Sequence, residues 1–478
     1  MTAWHYRYEA KGIQAWMLAT DSLKEIAGGS ALVEDLERAA DVHARECGGR
    51  VLQAAAGAAT LRFENRDALE SFAATWPRQA ARITPGLQVI QAWSLTLDEL
   101  PAALGDARNR TPIDLPEAGP WIARAGRTGR PATGRQEGML VDAATRAKLK
   151  ASKDTLRDIV DRLYEDTETR PKFLTDLNRY PDGAIALVHA DGDGIGRRIA
   201  AMAPEALEPF SKALSQVTTR AVREAIDHLE RCFQVYEDNA GHVPLPVRPI
   251  VVGGDDVTVM LSARHSIAFA DFLVRAFARL AAAEAALRDA QGKGPTLTAG
   301  VAIVRNGYPF ARAHEIAEEA CRAAKPSNGA GGRLAFRRLT TSLEATEDGA
   351  DAESTTAHTR GYTPDQLKHL QAAAQATTSL PKGKLRTWLG VAQGAARRGE
   401  SQDRAQALWT RTLEYLERPE HREGGPRRAF VGFCAALHAI DPSFPSDGRL
   451  HPEAIGDVVG DALTWARVTG NEPELWGR

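Results

Sequence analysis

The spacing of hydrophobic and polar positions near the start of the chain predicts a small α/β unit. Trp4 to Tyr8 alternate as in a strand, and "IQAWMLATDSLKEIAG" has apolar positions three and four residues apart, which predicts a helix that stops at Gly28 and Gly29. After it come an apolar run, a second helical pattern and an alternating strand, in "RVLQAAAGAATLRF", "RDALESFAATWPRQAARI" and "LQVIQAWSLT". The order β-α-β-(β)-α-β is that of a ferredoxin-like sheet with helices on one face. We therefore expect a ferredoxin-like unit over residues 1–100.

The same order of elements recurs at larger size over residues 181–340. A strand, a long helix and a hairpin are predicted by "AIALVHAD", "LSQVTTRAVREAIDHLERCF" and "RPIVVGGDDVTVML". A helix, a strand and a last helix follow in "SIAFADFLVRAFARLAAAEAALRD", "LTAGVAIV" and "FARAHEIAEEACRAAK". The predicted fold class is therefore α+β, with two ferredoxin-like units in one chain.

The remaining segments differ from these units in composition. Residues 101–180 begin with the Pro-, Gly-, Arg- and Thr-rich "GPWIARAGRTGRPATGRQEG", which predicts an irregular connection, followed by one helix in "AATRAKLKASKDTLRDIVDRLYE". Residues 341–361 contain the acidic, small-residue stretch "EATEDGADAESTTAHT", typical of a flexible linker. Helical patterns such as "LRTWLGVAQGAARRG" and "RAQALWTRTLEYLER" dominate residues 362–478 and indicate a separate all-α domain.

Composition restricts the classes of function. At 478 residues the chain is long for one domain, and its 43 % hydrophobic residues, 26 % charged residues and net charge of -2 are ordinary for a globular protein, so nucleic acid would have to bind at a local patch. The four cysteines are scattered, without the spacing of a zinc site or a disulfide framework. Because there is no signal peptide and no apolar run of about 18 residues, we expect a cytoplasmic protein without a membrane partner.

Two acidic motifs follow strands that should be neighbours. Asp191 ends the strand in "LVHADGDGIG", and Asp255 and Asp256 lie at the turn of the "VVGGDDVTVML" hairpin. In a ferredoxin-like sheet these strands pair, so the three carboxylates should converge. Clustered carboxylates repel one another unless a cation lies among them, and such hard oxygen ligands select Mg²⁺ or Mn²⁺ together with substrate phosphates. The sequence therefore predicts a two-metal site at Asp191, Asp255 and Asp256.

The residues around these carboxylates are candidates for nucleotide binding. Gly253 and Gly254 have no Cβ, so a nucleotide can approach their backbone closely, and Gly192 and Asp193 stand in the same position after the first strand. Each motif by itself is also compatible with a simple turn; together, on paired strands, they favour a metal and phosphate site. Lys325 ends the last helix, where it either reaches a triphosphate or complements the helix dipole.

A strand ending in "HADGD" paired with a "GGDD" hairpin resembles the palm of the Cas-ten family, the large polymerase/cyclase subunit of type III CRISPR effector complexes, which is related to GGDEF and class III nucleotidyl cyclases. The stretch "LTAGVAIVRNGYPFARAHEIAEEACRAAK" is similar to the segment after that hairpin. "KGIQAWMLATDSLKEIAGGSALVEDL" resembles the family's first-palm motif, which implies that Gly29 and Ser30 face the adenine of a nucleotide. A helix stop with Ser30 as N-cap explains the same residues. The first unit has "AAGAATLRF" in place of "GGDD", which implies a degenerate palm that binds the acceptor nucleotide.

This resemblance implies an ATP-using nucleotidyltransferase that makes a cyclic oligoadenylate messenger for antiviral defence. A 3′- or 2′-hydroxyl on the first palm would attack the α-phosphate of the nucleotide on the second, with pyrophosphate leaving and Lys325 neutralising the triphosphate. One alternative is a catalytically silent subunit that senses nucleotide or RNA. Another is a diguanylate cyclase, although those enzymes pair single active palms in homodimers.

The resemblance also suggests partners and departures from the family. Other effector-complex subunits would bind through the C-terminal helices, and an activating RNA would contact basic stretches such as "RAGRTGR" and "GGPRRAF", whose arginines are otherwise simply solvated. The first palm begins near Met1, so neither a His-Asp nuclease domain nor DNase activity is expected. The connector lacks cysteine where relatives carry a zinc module, which suggests a metal-free remnant.

Overall fold

The computed structural model describes residues 3–110, 119, 121–164, 173, 183–236, 245–325, 331–339, 360–377, 380, 411, 414, 425–441, 461–462, 464–466 and 468, with gaps at 21, 56, 137 and 153–154.

The first unit is a four-stranded antiparallel sheet with helices. The elements of the first unit are β1 (Trp4–Lys11), α1 (Ile13–Met17), α2 (Leu23–Glu46), β2 (Gly49–Ala55), β3 (Ala58–Phe63), α3 (Arg66–Ile83) and β4 (Gln88–Ser94). The strand order β2-β3-β1-β4, with each pair antiparallel, is that of a ferredoxin-like fold, as predicted.

Helix α2 corrects one prediction. It runs without interruption through Gly28, Gly29 and Ser30, so neither a helix stop at the two glycines nor an N-cap at Ser30 is present. A Cβ at Gly28 would overlap the carbonyl oxygen of Lys148, which belongs to a helix that packs across α2. Glycine is therefore required there for close helix packing.

The connector is more regular than its composition predicted. It contains α4 (Leu100–Asn109), a small hairpin of β5 (Gly134–Gln136) and β6 (Met139–Val141), and two helices, α5 (Ala143–Ala151) and α6 (Thr155–Leu163), in place of the single predicted helix. Lys148 of α5 is buried beneath the first unit, where its Nζ donates to the carbonyl oxygen of Trp16 and lies 4.3 Å from the centre of the Trp16 ring. This contact joins the connector to α1.

The second unit repeats the plan of the first and adds one strand. Its elements are β7 (Ala184–Gly192), α7 (Ile195–Ala200), α8 (Pro204–Tyr236), β8 (Val247–Gly253), β9 (Asp256–Ser262), α9 (Ser266–Ala283), β10 (Leu297–Arg305), α10 (Phe310–Ala324) and β11 (Leu334–Arg338). The sheet order is β11-β10-β7-β9-β8, and only β11 pairs in parallel. Four of these strands again have the ferredoxin-like order, which confirms the predicted α+β class.

Both faces of the second sheet are covered, which explains why β7 is almost continuously apolar. Side chains alternate along the strand. Val188 and Ala190 belong to the core formed with α8 and α9, whereas Leu187 belongs to a cluster with residues of α10 and Ile26 of α2. The two units therefore share apolar contacts through Ile26.

The described part of the C-terminal region is helical and lies against the second unit. Its helices are α11 (Pro364–Ala376) and α12 (Gly425–Ile440), which pack together and share the core of that unit. Tyr362 pairs through its backbone with Leu334 of β11, and its hydroxyl donates to Asp461 over 2.6 Å. The predicted linker at 344–359 and the helical stretch "LRTWLGVAQGAARRG" lie outside the described residues. Within the described residues, every helix is too short or too polar to span a lipid bilayer.

Candidate active site

The three predicted carboxylates lie together at one end of the central strands. Asp191, near the end of β7, is in register with Asp256, the first residue of β9. Asp255 occupies the turn before it, after Gly254, whose φ of 58° lies in the left-handed region that favours glycine. A Cβ at Gly192 would lie 2.8 Å from the Cβ of Asp255, so only glycine leaves room for the Asp255 side chain.

The hairpin carboxylates are held in a setting that disfavours negative charge. Burial, followed by the proximity of Asp191, raises the pKa of Asp255 to about 6 and that of Asp256 to about 7. The Asp256 side chain is 44 % exposed, yet its Oδ1 atom is buried and has no hydrogen-bond partner. A buried, unsatisfied carboxylate oxygen is costly unless a cation or a donor meets it.

Lys325 supplies positive charge to this cluster. It is the C-cap residue of α10, and its Nζ bonds Oδ2 of Asp191 and the carbonyl oxygen of Gly192, the latter over 3.2 Å. Burial lowers the pKa of Lys325, but the bond to Asp191 outweighs it and the pKa is raised overall. The lysine therefore reaches the carboxylates in addition to ending the helix.

The donor set fits a hard divalent cation, although the present arrangement is not that of a bound metal. No group of three or more His, Cys, Asp or Glu side chains among the described residues is arranged to hold a metal ion. Lys325 takes one oxygen of Asp191, while Asp256 retains an unsatisfied oxygen. Carboxylates whose pKa values are raised by burial and then by mutual repulsion, and which offer only oxygen, match the ligands preferred by Mg²⁺ or Mn²⁺.

Asp193, another predicted nucleotide contact, has a different setting. It is buried, and its two carboxylate oxygens accept hydrogen bonds from the hydroxyls of Thr296 and Thr298, each over 2.7 Å. Its backbone N–H donates to the carbonyl oxygen of Thr296 over 2.9 Å. These bonds connect the turn after β7 to the start of β10. Both oxygens of the Asp193 carboxylate are therefore already hydrogen-bonded within the protein.

A cavity of about 540 Å³ opens between the two units beside the hairpin. Among the predicted residues, it is lined by Ser30, Gly253, Gly254, Asp255 and Asp256. Most of its other lining is apolar and comes from both units, including Met17, Ile26, Ile195, Ile250 and Phe310. A cleft of this size with a mainly apolar surface and polar groups from both units is typical of a small-molecule site. Gly29 is not among the lining residues, and a Cβ at Gly29 would lie 3.1 Å from the side chain of Met17.

Comparison with known proteins bears on the second unit. Residues 184–333 match the family model of the Cas10/Cmr2 second palm domain. The match supports the resemblance to the Cas10 family that the sequence predicted, and it covers the sheet and the hairpin described above. No curated protein matches the chain in sequence.

The fold of the chain is similar to that of Csm1. A crystal structure of Csm1 from T. onnurineus has a TM-score of 0.54 and 14% identity, and the match covers 97% of this chain and 70% of that one. A Csm1-Csm4 cassette in complex with cA4 has a TM-score of 0.55 and 15% identity, and the match covers 92% of this chain and 70% of that one. A Csm1-Csm4 cassette in complex with cA3 has a TM-score of 0.54 and 14% identity, and the match covers 96% of this chain and 70% of that one. At these identities the similarity shows the shared fold.

Several cleft residues of the two palms were absent from the sequence prediction. His314 of α10 lines the cavity, is 7% exposed and has a buried Nδ1 without a hydrogen-bond partner. Burial lowers its pKa to about 4, so the ring is neutral. Its ring centroid lies 5.1 Å from that of His189, a buried residue of β7. The Nδ1 atom of His189 lies 3.5 Å from Oδ1 of Asp256. His314 lies on the apolar face of α10, where the sequence pattern is that of an ordinary core residue. The sequence pattern therefore gave no reason to assign His314 to the site.

Glu37 of the first palm also lines this cavity. Its Oε1 accepts a hydrogen bond of 2.7 Å from the backbone N–H of Gly57, in the β2-β3 turn that corresponds to the GGDD turn of the second palm. Burial raises the pKa of Glu37 to about 7. The first palm thus has a glycine and a neighbouring acid at this turn, but no carboxylate on it.

Proposed function

We propose that the protein is a metal-dependent nucleotidyl cyclase that joins ATP into a cyclic oligoadenylate and releases pyrophosphate. The observation that carries this proposal is the convergence of Asp191, Asp255 and Asp256 beside a cavity formed by both palms. The related cassettes in complex with cA4 and cA3 support the choice of an adenylate product. Such a product would act as a messenger in antiviral defence.

Asp191, Asp255 and Asp256 would hold Mg²⁺ or Mn²⁺. When bound, such ions neutralise the charge that develops on an α-phosphate and lower the pKa of an attacking hydroxyl. The unsatisfied Oδ1 of Asp256 and the raised pKa values of the hairpin carboxylates support this assignment, because a divalent cation would relieve both. Lys325 would then exchange Asp191 for a phosphate oxygen of the triphosphate.

The two palms would hold the two nucleotides of each joining step. The acceptor would lie against the first palm near Ser30, and the donor against Gly253 and Gly254, where the absence of Cβ atoms leaves the backbone open to phosphate. The acceptor hydroxyl oxygen forms a bond to the α-phosphorus of the donor, and the bond from that phosphorus to the β-phosphate breaks. One pyrophosphate and one proton are released for each bond formed.

The experiment is product analysis of the purified chain incubated with ATP, GTP, CTP and UTP plus Mg²⁺ or Mn²⁺, with and without candidate activating RNA. The matched control carries Asp255→Asn and Asp256→Asn. We expect pyrophosphate and, by mass spectrometry, a cyclic adenylate that the double variant does not make. Absence of pyrophosphate under all these conditions would refute a nucleotidyltransferase, and a guanylate product would refute the adenylate assignment.

A catalytically silent sensor is the second candidate. It is favoured by the ion pair of Lys325 with Asp191, which occupies one of the three carboxylates with a protein cation. A sensor would bind nucleotide equally well with and without Mg²⁺ and would keep its effect on partners in the Asp255→Asn variant. Calorimetric titration of ATP in the two buffers separates the candidates, because a cyclase requires the metal for triphosphate binding.

Association with other effector-complex subunits is part of the proposal. The Csm1 cassettes contain Csm4, which supports a protein partner for this chain as well. The helices α11 and α12 are candidates for such a contact.

A further inference from the structure

A buried hydroxyl on helix α8 contacts the GGDD turn. Thr218 is fully buried, and its Oγ1 donates a hydrogen bond of 2.6 Å to the carbonyl oxygen of Gly254. Gly254 directly precedes Asp255 and has a left-handed backbone. Thr218 and Gly254 are 36 residues apart, so this bond joins two separate elements of the second palm.

The bond is not the one that a threonine within a helix usually makes. Helical threonines commonly donate to the carbonyl four residues earlier. The next residue, Thr219, does so, since its Oγ1 donates to the carbonyl oxygen of Ser215 over 2.8 Å. Thr218 instead directs its hydroxyl away from its own helix and to the hairpin. The adjacent pair thus provides two chemically identical side chains with different partners.

Within the described part of the chain, little else supports Gly254 and Asp255, whereas Asp256 is paired in β9 with Asp191 and Gly253. The β8-β9 pairing ends at Gly253 and Asp256, so the Gly254 carbonyl lies beyond the ladder. A Cβ placed at Gly253 or Gly254 would meet nothing within 4 Å, so the glycines themselves are not packed in place. The hydroxyl of Thr218 therefore restrains a turn whose position decides where Asp255 and Asp256 project.

Helix α8 also contacts the first palm. It packs against β2, and its residues Ser211 and Ser215 line the cavity between the palms. The helix that restrains the hairpin through Thr218 is therefore also one wall of the cleft. Its position sets the distance between the acceptor side of the cleft and the carboxylates.

We propose, resting on the function proposed above, that Thr218 is a positioning residue that holds the Gly254 carbonyl so that Asp255 and Asp256 are placed for the joining reaction. It does not touch the nucleotide. Its loss lowers the rate of the joining step and leaves nucleotide binding nearly unchanged.

The test compares Thr218→Val, Thr218→Ser and Thr219→Val. Valine keeps the shape of threonine without the hydroxyl, and serine keeps the hydroxyl without the methyl group. In Thr218→Val we expect the rate of pyrophosphate release at saturating ATP to fall about tenfold or more, because a partly buried carbonyl loses its hydrogen bond and the turn is no longer held, with KM for ATP changed less than about threefold. Thr218→Ser should recover most of the rate, and Thr219→Val should match the unaltered protein.

A second measurement does not depend on activity. Hydrogen exchange of the backbone amides from Gly253 to Asp256 should be faster in Thr218→Val than in Thr219→Val, because the turn loses its restraint. Equal exchange in the two variants, or a rate in Thr218→Ser as low as in Thr218→Val, would overturn the proposal. If the unaltered protein releases no pyrophosphate, the proposed function fails, and the exchange comparison alone decides whether Thr218 positions the hairpin.

Discussion

Lys325 and Asp191 form an ion pair that connects the end of α10 to the end of β7 across 134 residues of sequence. The Lys325 side chain is 31% exposed and that of Asp191 38%, so water can reach both partners. A pair in this setting contributes little to stability, and its importance lies in the charge that it brings to the carboxylate cluster.

Replacement of Lys325 by Met should therefore separate stability from ligand binding. We expect the free energy of unfolding to fall by less than about 1 kcal/mol. The affinity for ATP with Mg²⁺ should fall about tenfold to a hundredfold, because a charge-assisted contact to the triphosphate is lost. Calorimetry and thermal unfolding measure the two effects. Lys368→Met, which removes an exposed lysine paired with Asp365 on α11, is the control and should change neither. Unchanged ATP affinity in Lys325→Met would contradict a triphosphate contact.

Asp193→Asn should affect stability more than nucleotide binding. Its two bonds to Thr296 and Thr298 are within the fold, and an amide can replace only one of the two acceptor oxygens. We expect the free energy of unfolding to fall by about 1–3 kcal/mol and the Kd for ATP to stay within about twofold. Chemical denaturation and calorimetry provide the measurements. A large loss of ATP affinity in a variant of normal stability would restore the nucleotide-binding role predicted from the sequence.

The raised pKa of Glu37 predicts that the free energy of unfolding depends on pH. Because burial raises the pKa of Glu37 to about 7 from 4.5, the folded protein holds this proton more tightly than the unfolded chain does. Its contribution to the free energy of unfolding is therefore fully present below pH 4.5 and is lost as the pH rises through about 7. Glu37→Gln should be more stable than the unaltered protein at pH 8, by about 1–2 kcal/mol after allowance for partial exposure.

The difference between the Glu37→Gln variant and the unaltered protein should vanish well below pH 4.5, where the acid is neutral in both the folded and the unfolded state. Thermal unfolding at about pH 3, 6 and 8 measures this difference. Glu70→Gln, at an exposed position paired with Arg66, should show no such trend. A stability gain in Glu37→Gln that is equal at every pH would mean that packing, and not ionisation, is responsible.

Gly28→Ala should destabilise the protein even though alanine favours helices. The added methyl group would meet the backbone of Lys148, which cannot move without displacing α5. We expect a loss of about 1–3 kcal/mol in the free energy of unfolding. Gly105→Ala in α4, where a Cβ meets nothing within 4 Å, should instead stabilise by about 0.5–1 kcal/mol. Chemical denaturation of both variants makes the comparison, and a neutral Gly28→Ala would show that the two helices are not closely packed in solution.

Local patterns in the sequence determined the plan of the two palms. The two-residue alternation and the helical spacings predicted strands and helices in the ferredoxin-like order, because each reflects the face that one element buries. The acidic motifs could be located because each directly follows a strand, and paired strands bring such ends together. Asp191 and Asp256 are in register for this reason.

Only the tertiary structure decided the roles that depend on distant partners. Gly28 and Gly29 match the local pattern of a helix end, but α5 packs across them from more than a hundred residues further along the chain, so the helix continues. The Asp193 carboxylate accepts hydrogen bonds from two threonines at the start of β10, and Thr218 bonds a hairpin rather than its own helix. A residue's local pattern expresses its conformational preference and the face it buries, whereas its hydrogen-bond partner is whatever the completed packing places within about 3 Å of it.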